Sequence, residues 1–350
     1  VVEAEVQKTE VVAGKEKQPD HVMKTFAGWY TNAACSDGKE FTLQNCTKST
    51  IVYAKWKDPT AVLLDSDYNT GLSKKFADIA ETPETITAFQ RSAIMPDANI
   101  TNEAHCISTE NSEVPVYLWK DGTTLKWWSK AVKPEAQSLT YLYNGYSDLT
   151  DISGLSGWNT SNVTKMRSLF DDCNSLTDLT PLSGYDTSNV TDMSGMFYGC
   201  GNLTNLAALS GWNTSRVTNM ESMFDSCSSL TGLTALSNWN TQKVTNMDSM
   251  FCSCRSLADL TALSNWNTQK VTNMSAMFWR CRSLADLTAL SGWDTSKVTN
   301  MSLMFSECKS LADLTALSGW NASNVTNMGG MFYNCSSLTN LTALSNWDTS

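Results

Sequence analysis

The stretch Lys270–Cys281, KVTNMSAMFWRC, decides the fold, because its frame returns throughout the second half of the chain. KVTNMDSMFCSC (Lys243–Cys254), RVTNMESMFDSC (Arg216–Cys227) and NVTNMGGMFYNC (Asn324–Cys335) keep Val, Thr, Met, Met, Phe and Cys while the two residues after Phe vary freely. Trp158, Trp212, Trp239, Trp266, Trp293, Trp320 and Trp347 follow one step of 27 residues, with Tyr185 in the remaining slot. The Phe column (Phe170 to Phe332) and the Cys column (Cys173 to Cys335) keep the same step. A fixed period of this size marks an array in which each unit buries its apolar face only against its neighbours.

A propeller blade needs about 40 residues for four strands, so 27 points instead to the coil of a solenoid. The phrase Leu257, Leu260, Leu263, Trp266 supplies inward residues at every third position. The expected coil has a short strand at Leu-x-x-Leu, an extended piece at Val-Thr-x-Met and a tight turn or single helical turn at Met-Phe-x-x-Cys. Coils stacked about 4.8 Å apart make seven copies a rod of roughly 35 Å. The invariant columns, Val163 and Met166 with their successors, then Phe and Cys, form the predicted core; unbranched Met suits a column of stacked identical side chains. Asn159, Asn213, Asn240, Asn267 and Asn321, with Asp in the other slots, are expected to cap turns and satisfy backbone groups.

On these residues the chain resembles the BspA-like leucine-rich repeat surface proteins of bacteria. Trp293-Asp294-Thr295-Ser296-Lys297-Val298-Thr299-Asn300-Met301, then Met304-Phe305 and Cys308, carry the resemblance, which runs from residue 158 to 350. The Leu-x-x-Leu-x-x-Leu phrase is slightly longer than the family's usual one. Residues 131–157 fit the frame loosely, with Leu139, Leu142, Tyr143, Tyr146, Leu149, Ile152 and Leu155 on the core columns, so 114–157 reads as an N-terminal cap holding a hairpin about Asp121-Gly122 and a degenerate first coil. FAGWYT (Phe26–Thr31) and IVYAKW (Ile51–Trp56) resemble the InlB B-repeat, a small β-grasp-like module of bacterial surface proteins, over residues 1–57. The family's opening strand and its Gly-Tyr before the Phe are missing, and Trp29, Tyr30 and Trp56 are expected as core aromatics. Residues 58–113 read as a connector with helical patches at KKFADIA and TITAFQRS. The fold class is therefore mainly β with short turns and helices: a leucine-rich-repeat solenoid of 27-residue coils after a small β-grasp-like domain.

The formal charge is −10 with no basic block in the sequence, which argues against nucleic acid and anionic membrane surfaces as partners. No run of 18 apolar residues occurs, so no membrane insertion is expected. The chain opens at Val1 and stops at Ser350 inside a repeat phrase, and reads as a piece of a longer protein, with signal, anchor and further repeats beyond it. The two histidines, His21 and His105, lie outside the repeats, so no nucleophile, base and oxyanion constellation is legible and no enzyme is expected. No cofactor or metal is expected. Cys252-x-Cys254 lacks the second ligand pair of a zinc site, and the repeated cysteines are expected as buried free thiols. Cys35 and Cys46 can pair in an oxidising compartment or remain separate. A calcium reading of the acidic column Asp259, Asp286, Asp313 is the weaker one, because Arg255, Arg282 and Lys309 sit four residues earlier and a solvated charge pattern explains both columns.

Freedom to vary after Phe locates the candidate surface. The position directly after Phe runs Asp171, Tyr198, Asp225, Cys252, Trp279, Ser306, Tyr333, and the next includes Arg280. An outward column of this composition is the expected ligand contact: Asp171, Tyr198, Asp225, Trp279, Arg280, Ser306 and Tyr333. The resemblance implies an extracellular, cell-surface or secreted adhesin-like protein that binds protein or glycan on host or neighbouring cells. The competing expectation is a structural stalk that holds another domain away from the wall.

Overall fold

Leucines at i, i+3 and i+6 lie on one face of a 3₁₀ turn but on alternating faces of a strand. The computed structural model, which describes residues 5–11, 25–30 and 50–347, follows the first arrangement. A 3₁₀ turn recurs at Thr180–Leu182, Ala207–Leu209, Thr234–Leu236, Thr261–Leu263, Thr288–Leu290, Thr315–Leu317 and Thr342–Leu344. The strand expected at Leu-x-x-Leu is therefore absent, and that segment carries a single bridged pair, Gly232 with Asp259. The extended piece at Val-Thr-x-Met is present: parallel bridges link Lys165 to Asp192, then Asn219, Asn246, Asn273, Asn300 and Asn327.

The Met-Phe-x-x-Cys segment is a run of tight turns. Inside the coil Met196 N–H donates to Met193 C=O and Cys200 N–H to Phe197 C=O, while alternate amides reach the next coil, as Met166 to Asp192 (2.9 Å), Ser168 to Ser194 (2.8 Å) and Phe170 to Met196 (2.9 Å). Each turn needs a left-handed residue in its third place, as in a type II turn. Two columns fill it: Ser168, Gly195, Ser222, Ser249, Ala276, Leu303, Gly330, and Asp172, Gly199, Ser226, Ser253, Arg280, Glu307, Asn334, all with φ between +49° and +70°. At Ala276 and Leu303 the Cβ costs about 1–2 kcal/mol each, which the surrounding hydrogen bonds offset.

Stacking is continuous. The Phe rings step 5.6–5.8 Å from coil to coil with nearly parallel planes. Stacked Trp rings step 6.3 Å. The parallel bridges of the Val-Thr-x-Met pieces hold neighbouring coils at the spacing of paired strands, about 4.8 Å. Val, Met, Leu and Phe of the inner columns are fully buried from Val163 to Leu317.

Three polar ladders sew the coils together. Each Cys thiol donates to the carbonyl of the preceding coil's Phe, from Cys200 to Phe170 (3.2 Å) through Cys335 to Phe305 (3.0 Å), so the column needs a small donor rather than merely a small apolar group. The thiols are unpaired, and burial pushes them upward in pKa. Each indole N–H donates to a Leu carbonyl of the coil before, Trp212 to Leu182 at 3.2 Å through Trp347 to Leu317 at 3.1 Å. Tyr185 holds the vacant slot because its hydroxyl reaches Leu155 C=O the same way, at 3.4 Å. Buried Thr160, Thr187, Thr214, Thr241, Thr268 and Thr295 donate to the backbone of the next coil. The Asn and Asp beside them act locally, each accepting from the amide two residues on, as Asn240 from Gln242.

The cap begins upstream. Strands β1 (Glu5–Val11), β2 (Thr25–Tyr30) and β3 (Thr50–Lys57) form an antiparallel sheet in the order β1-β3-β2. β1 pairs along its whole length with β3, Glu5 opposite Trp56 through Val11 opposite Thr50. Tyr30 is half-buried; the side chains of Trp29 and Trp56, with His21, Cys35 and Cys46, lie outside the described residues. Segment 58–113, expected as a connector, contributes fully buried Leu63, Leu72, Phe76, Ile86, Phe89 and Ile107 to the same core as the cap. It holds β4 (Ser66–Asp67), α1 (Gly71–Ala80), which covers KKFADIA, and β5 (Ala88–Arg91). TITAFQRS is a strand rather than a helix, because β5 pairs in parallel with β7 (Thr124–Ser129), itself paired with β6 (Val116–Asp121) across the Gly122-Thr123 turn. On its other side Phe89 N–H donates to Asp151 C=O (2.7 Å), which joins the cap to the first coil. That coil keeps the frame: Tyr143 stacks on Phe170 at 5.5 Å, and Tyr141 and Gly145 take the two left-handed positions. With no earlier coil behind them, Tyr143 Oη, Tyr146 Oη and Trp158 Nε1 find no protein partner.

Candidate recognition surface

The turn that buries Phe and Cys turns the two residues between them toward the rim. Tyr198 stands out from it, 38% exposed, and Tyr333, in the last described coil, is 67% exposed. Trp279 is half-buried beneath its own neighbour, with the Arg280 guanidinium 4.5 Å from the ring centre. Arg280 Nε donates to Glu307 Oε1 (3.2 Å), and Arg282 approaches Glu307 Oε2 at 3.8 Å, so one carboxylate of the next coil meets both arginines and steadies Arg280 over the Trp.

Nearer the cap the column is acidic. Burial raises the carboxyl pKa of Asp171 and of Asp225. Tyr198 lies in their field, and Asp225 chiefly, aided by Asp172 and Asp171, holds its hydroxyl above the ordinary range. Ser226 Oγ donates to Asp225 Oδ1 at 2.9 Å.

Two positions depart from the expected outward column. Ser306 is 1% exposed, its hydroxyl donating to Tyr333 C=O (3.3 Å), and Cys252 is 4% exposed, its thiol pushed up to about 12 by burial. Both are short side chains between longer ones one coil away, Ser306 between Trp279 and Tyr333, Cys252 between Asp225 and Trp279. At a pitch below 6 Å the neighbours cover them. Ser306 is therefore removed from the contact set. The column divides into an acidic part around Tyr198 and a Trp-Arg part around Trp279, with Tyr333 beyond. Glu307 and Arg282 were missed; opposite charges 27 residues apart at Arg280 and Glu307 are the signal that finds them.

The acidic column Asp259, Asp286, Asp313 sits elsewhere and does a local job. Each accepts the amide of the Thr two residues on at 2.8 Å, capping a 3₁₀ turn, and that hydrogen bond with the Thr hydroxyl holds the carboxyl below its usual range. Among the described residues no three His, Cys, Asp or Glu side chains converge as a metal-ligand group. A cavity of about 690 Å³ opens on the cap beside α1, lined by Lys75, Asp78, Trp119, Lys120 and His105. Its cations are engaged with backbone: Lys75 Nζ donates to Glu103 and Ala104 carbonyls and Lys120 Nζ to Ala80 C=O, while His105 Nδ1 lies 3.1 Å from Asn102 Oδ1. Among the described residues no helix is long and apolar enough to cross a membrane.

Comparison with known proteins places the array. Residues 137–261, 202–287 and 256–350 match the family described as Mycoplasma protein of unknown function, DUF285. No curated protein and no solved structure matches the chain.

Proposed function

Because the chain belongs to the DUF285 family through residues 137–350, whose function is unknown, we propose a role from the solenoid's own surface: a bacterial cell-surface or secreted, adhesin-like interaction protein. It works outside the cell by binding, without catalysis or cofactor, and its ligand is a protein or glycan of host or neighbouring cells. The coils are of the leucine-rich-repeat type, and β1 to β3 belong to a β-grasp-like InlB B-repeat module that precedes the array in the chain. One observation carries the reading: an invariant column of Phe and Cys, fully buried from Phe170 to Cys308, supports a rim that carries Tyr198, Trp279 beneath Arg280, and Tyr333 at multiples of the repeat. Exposed aromatics and arginine on a rigid support supply contact area at low entropic cost.

Alanine at Tyr198, Trp279 and Tyr333 together, in the full chain, tests it. Binding to a panel of matrix proteins and glycans is expected to weaken by about 2 kcal/mol or more, roughly thirtyfold, with the unfolding midpoint unchanged. Unaltered binding and adhesion would favour a spacer that merely holds another domain outward.

A further inference from the structure

The sequence has no basic block, yet the fold builds one. The residue before the Val of each coil runs Asn162, Asn189, Arg216, Lys243, Lys270, Lys297, Asn324, so four cations separated by 27 residues in sequence become neighbours in space. All four are exposed. Adjacent bridged coils lie about 4.8 Å apart, which makes the row roughly 15 Å long. Among the described residues no carboxylate lies within ion-pair distance of any of the four. Arg216 donates to Asn189 Oδ1 (3.0 Å), and the three lysines make no hydrogen bond. Glu221 accepts from Asn246 Nδ2 and Asp248 from Asn273 Nδ2, each at 3.0 Å, while Asp294 accepts from Ser296, which together with a lesser contribution from the nearby Lys297 charge holds its carboxyl below the usual range without closing an ion pair. Like charges stacked this closely repel one another, and counter-charge from a partner relieves that.

A second row runs beside the first. Thr218, Thr245, Thr272 and Thr299, two residues on, are exposed, and each hydroxyl donates to the Thr carbonyl of the preceding coil at 3.1–3.2 Å. The donor is thereby spent on the neighbouring coil and the exposed oxygen is left as an acceptor, giving a row of acceptors beside a row of cations. We propose that this face of the solenoid, distinct from the aromatic rim, binds a linear anionic polysaccharide along its length, with Arg216, Lys243, Lys270 and Lys297 on its carboxylates or sulfates and the Thr oxygens accepting from its hydroxyls. The coil spacing is comparable to the advance per sugar of an extended polysaccharide. A DNA strand fits less well: its phosphodiesters carry no donor for the Thr row, and the exposed Tyr198 and Tyr333 that bases could stack on belong to the other column.

The test uses the full chain with heparin and polygalacturonate as polyanionic probes, dextran as neutral control and oligothymidylate as competing polyanion. The wild type is expected to bind heparin or polygalacturonate at low salt and to lose it as salt rises. The triple variant Lys243→Gln, Lys270→Gln, Lys297→Gln is expected to bind about tenfold or more weakly, with a slope of log affinity against log salt shallower by about two to three, close to one counterion per lysine removed. The rim variant with Ala at 198, 279 and 333 is expected to bind both glycans as the wild type does, so this assignment and the rim's role fail separately. Binding undiminished in the triple variant, absent from the wild type, or matched by dextran would overturn the stripe. Tighter capture of oligothymidylate than of either glycan would overturn the polysaccharide.

Discussion

Phe251→Ala is expected to destabilise the protein by about 3–5 kcal/mol and to divide one unfolding transition into two. The ring is fully buried and lies between Phe224 at 5.7 Å and Phe278 at 5.8 Å, with Trp266 tilted against it at 6.3 Å. Truncation leaves a cavity that the stack cannot close, because the backbone on either side is fixed by coil-to-coil hydrogen bonds such as Phe251 N–H to Met277 C=O at 3.0 Å. The lost ring contacts add about 0.5–1.5 kcal/mol per aromatic pair. A repeat array is held by nearest-neighbour interfaces, so weakening both interfaces of a central coil uncouples the halves. Urea unfolding followed by Trp fluorescence and by far-ultraviolet dichroism measures this. A single coincident transition shifted by less than about 1 kcal/mol would contradict it.

Thr241→Val is expected to cost about 2–3 kcal/mol although the two side chains have nearly the same shape. The Thr241 hydroxyl closes a reciprocal pair with the next coil, donating to Asn267 C=O (3.0 Å) and accepting from Asn267 N–H (2.8 Å). Valine leaves both backbone groups without partner in a position that is 1% exposed on the Thr side. Thr241→Ser restores both bonds and gives up only a methyl group, so it is expected to recover most of the loss. Equal midpoints for the Val and Ser variants in thermal unfolding would show that packing, not the hydroxyl ladder, fixes this column.

What was legible beforehand divides along physical lines. Period, core columns and the extended Val-Thr-x-Met piece follow from residue type and spacing alone, because a solenoid repeats its burial at each turn. The Leu phrase forms no strand, because its spacing of three belongs to a 3₁₀ turn. The left-handed columns were hinted at by Gly195, Gly199 and Gly330, but Ala276, Leu303, Arg280 and Glu307 in the same columns hid the requirement. Exposure of a rim residue depends on the side chains one coil above and below. Ser306 and Cys252 were therefore misplaced while Tyr198 and Tyr333 were not. The Arg280–Glu307 pair and the row from Arg216 to Lys297 exist only once the chain is wound, since linear reading sees isolated charges where the fold sees columns. In segment 58–113 no repeat guides the eye, and Phe89 joins the core by pairing in a sheet whose other strands lie far along the chain.

Interchangeable coils are the premise beneath every column described above, and excising one whole coil tests it most directly. Deletion of residues 240–266, 27 in all, brings Trp239 against Asn267 and restores the Trp-Asn-Thr phrase, so Phe224 is expected to stack on Phe278. The shortened protein is expected to keep the far-ultraviolet signature per residue and a cooperative transition, with stability lowered by about one repeat and its interface. A deletion of residues 240–262, which is out of phase, is expected to abolish that cooperativity. If the in-phase deletion unfolds, or the out-of-phase one is tolerated equally well, the coils are not interchangeable units and the stacked columns do not hold the protein together.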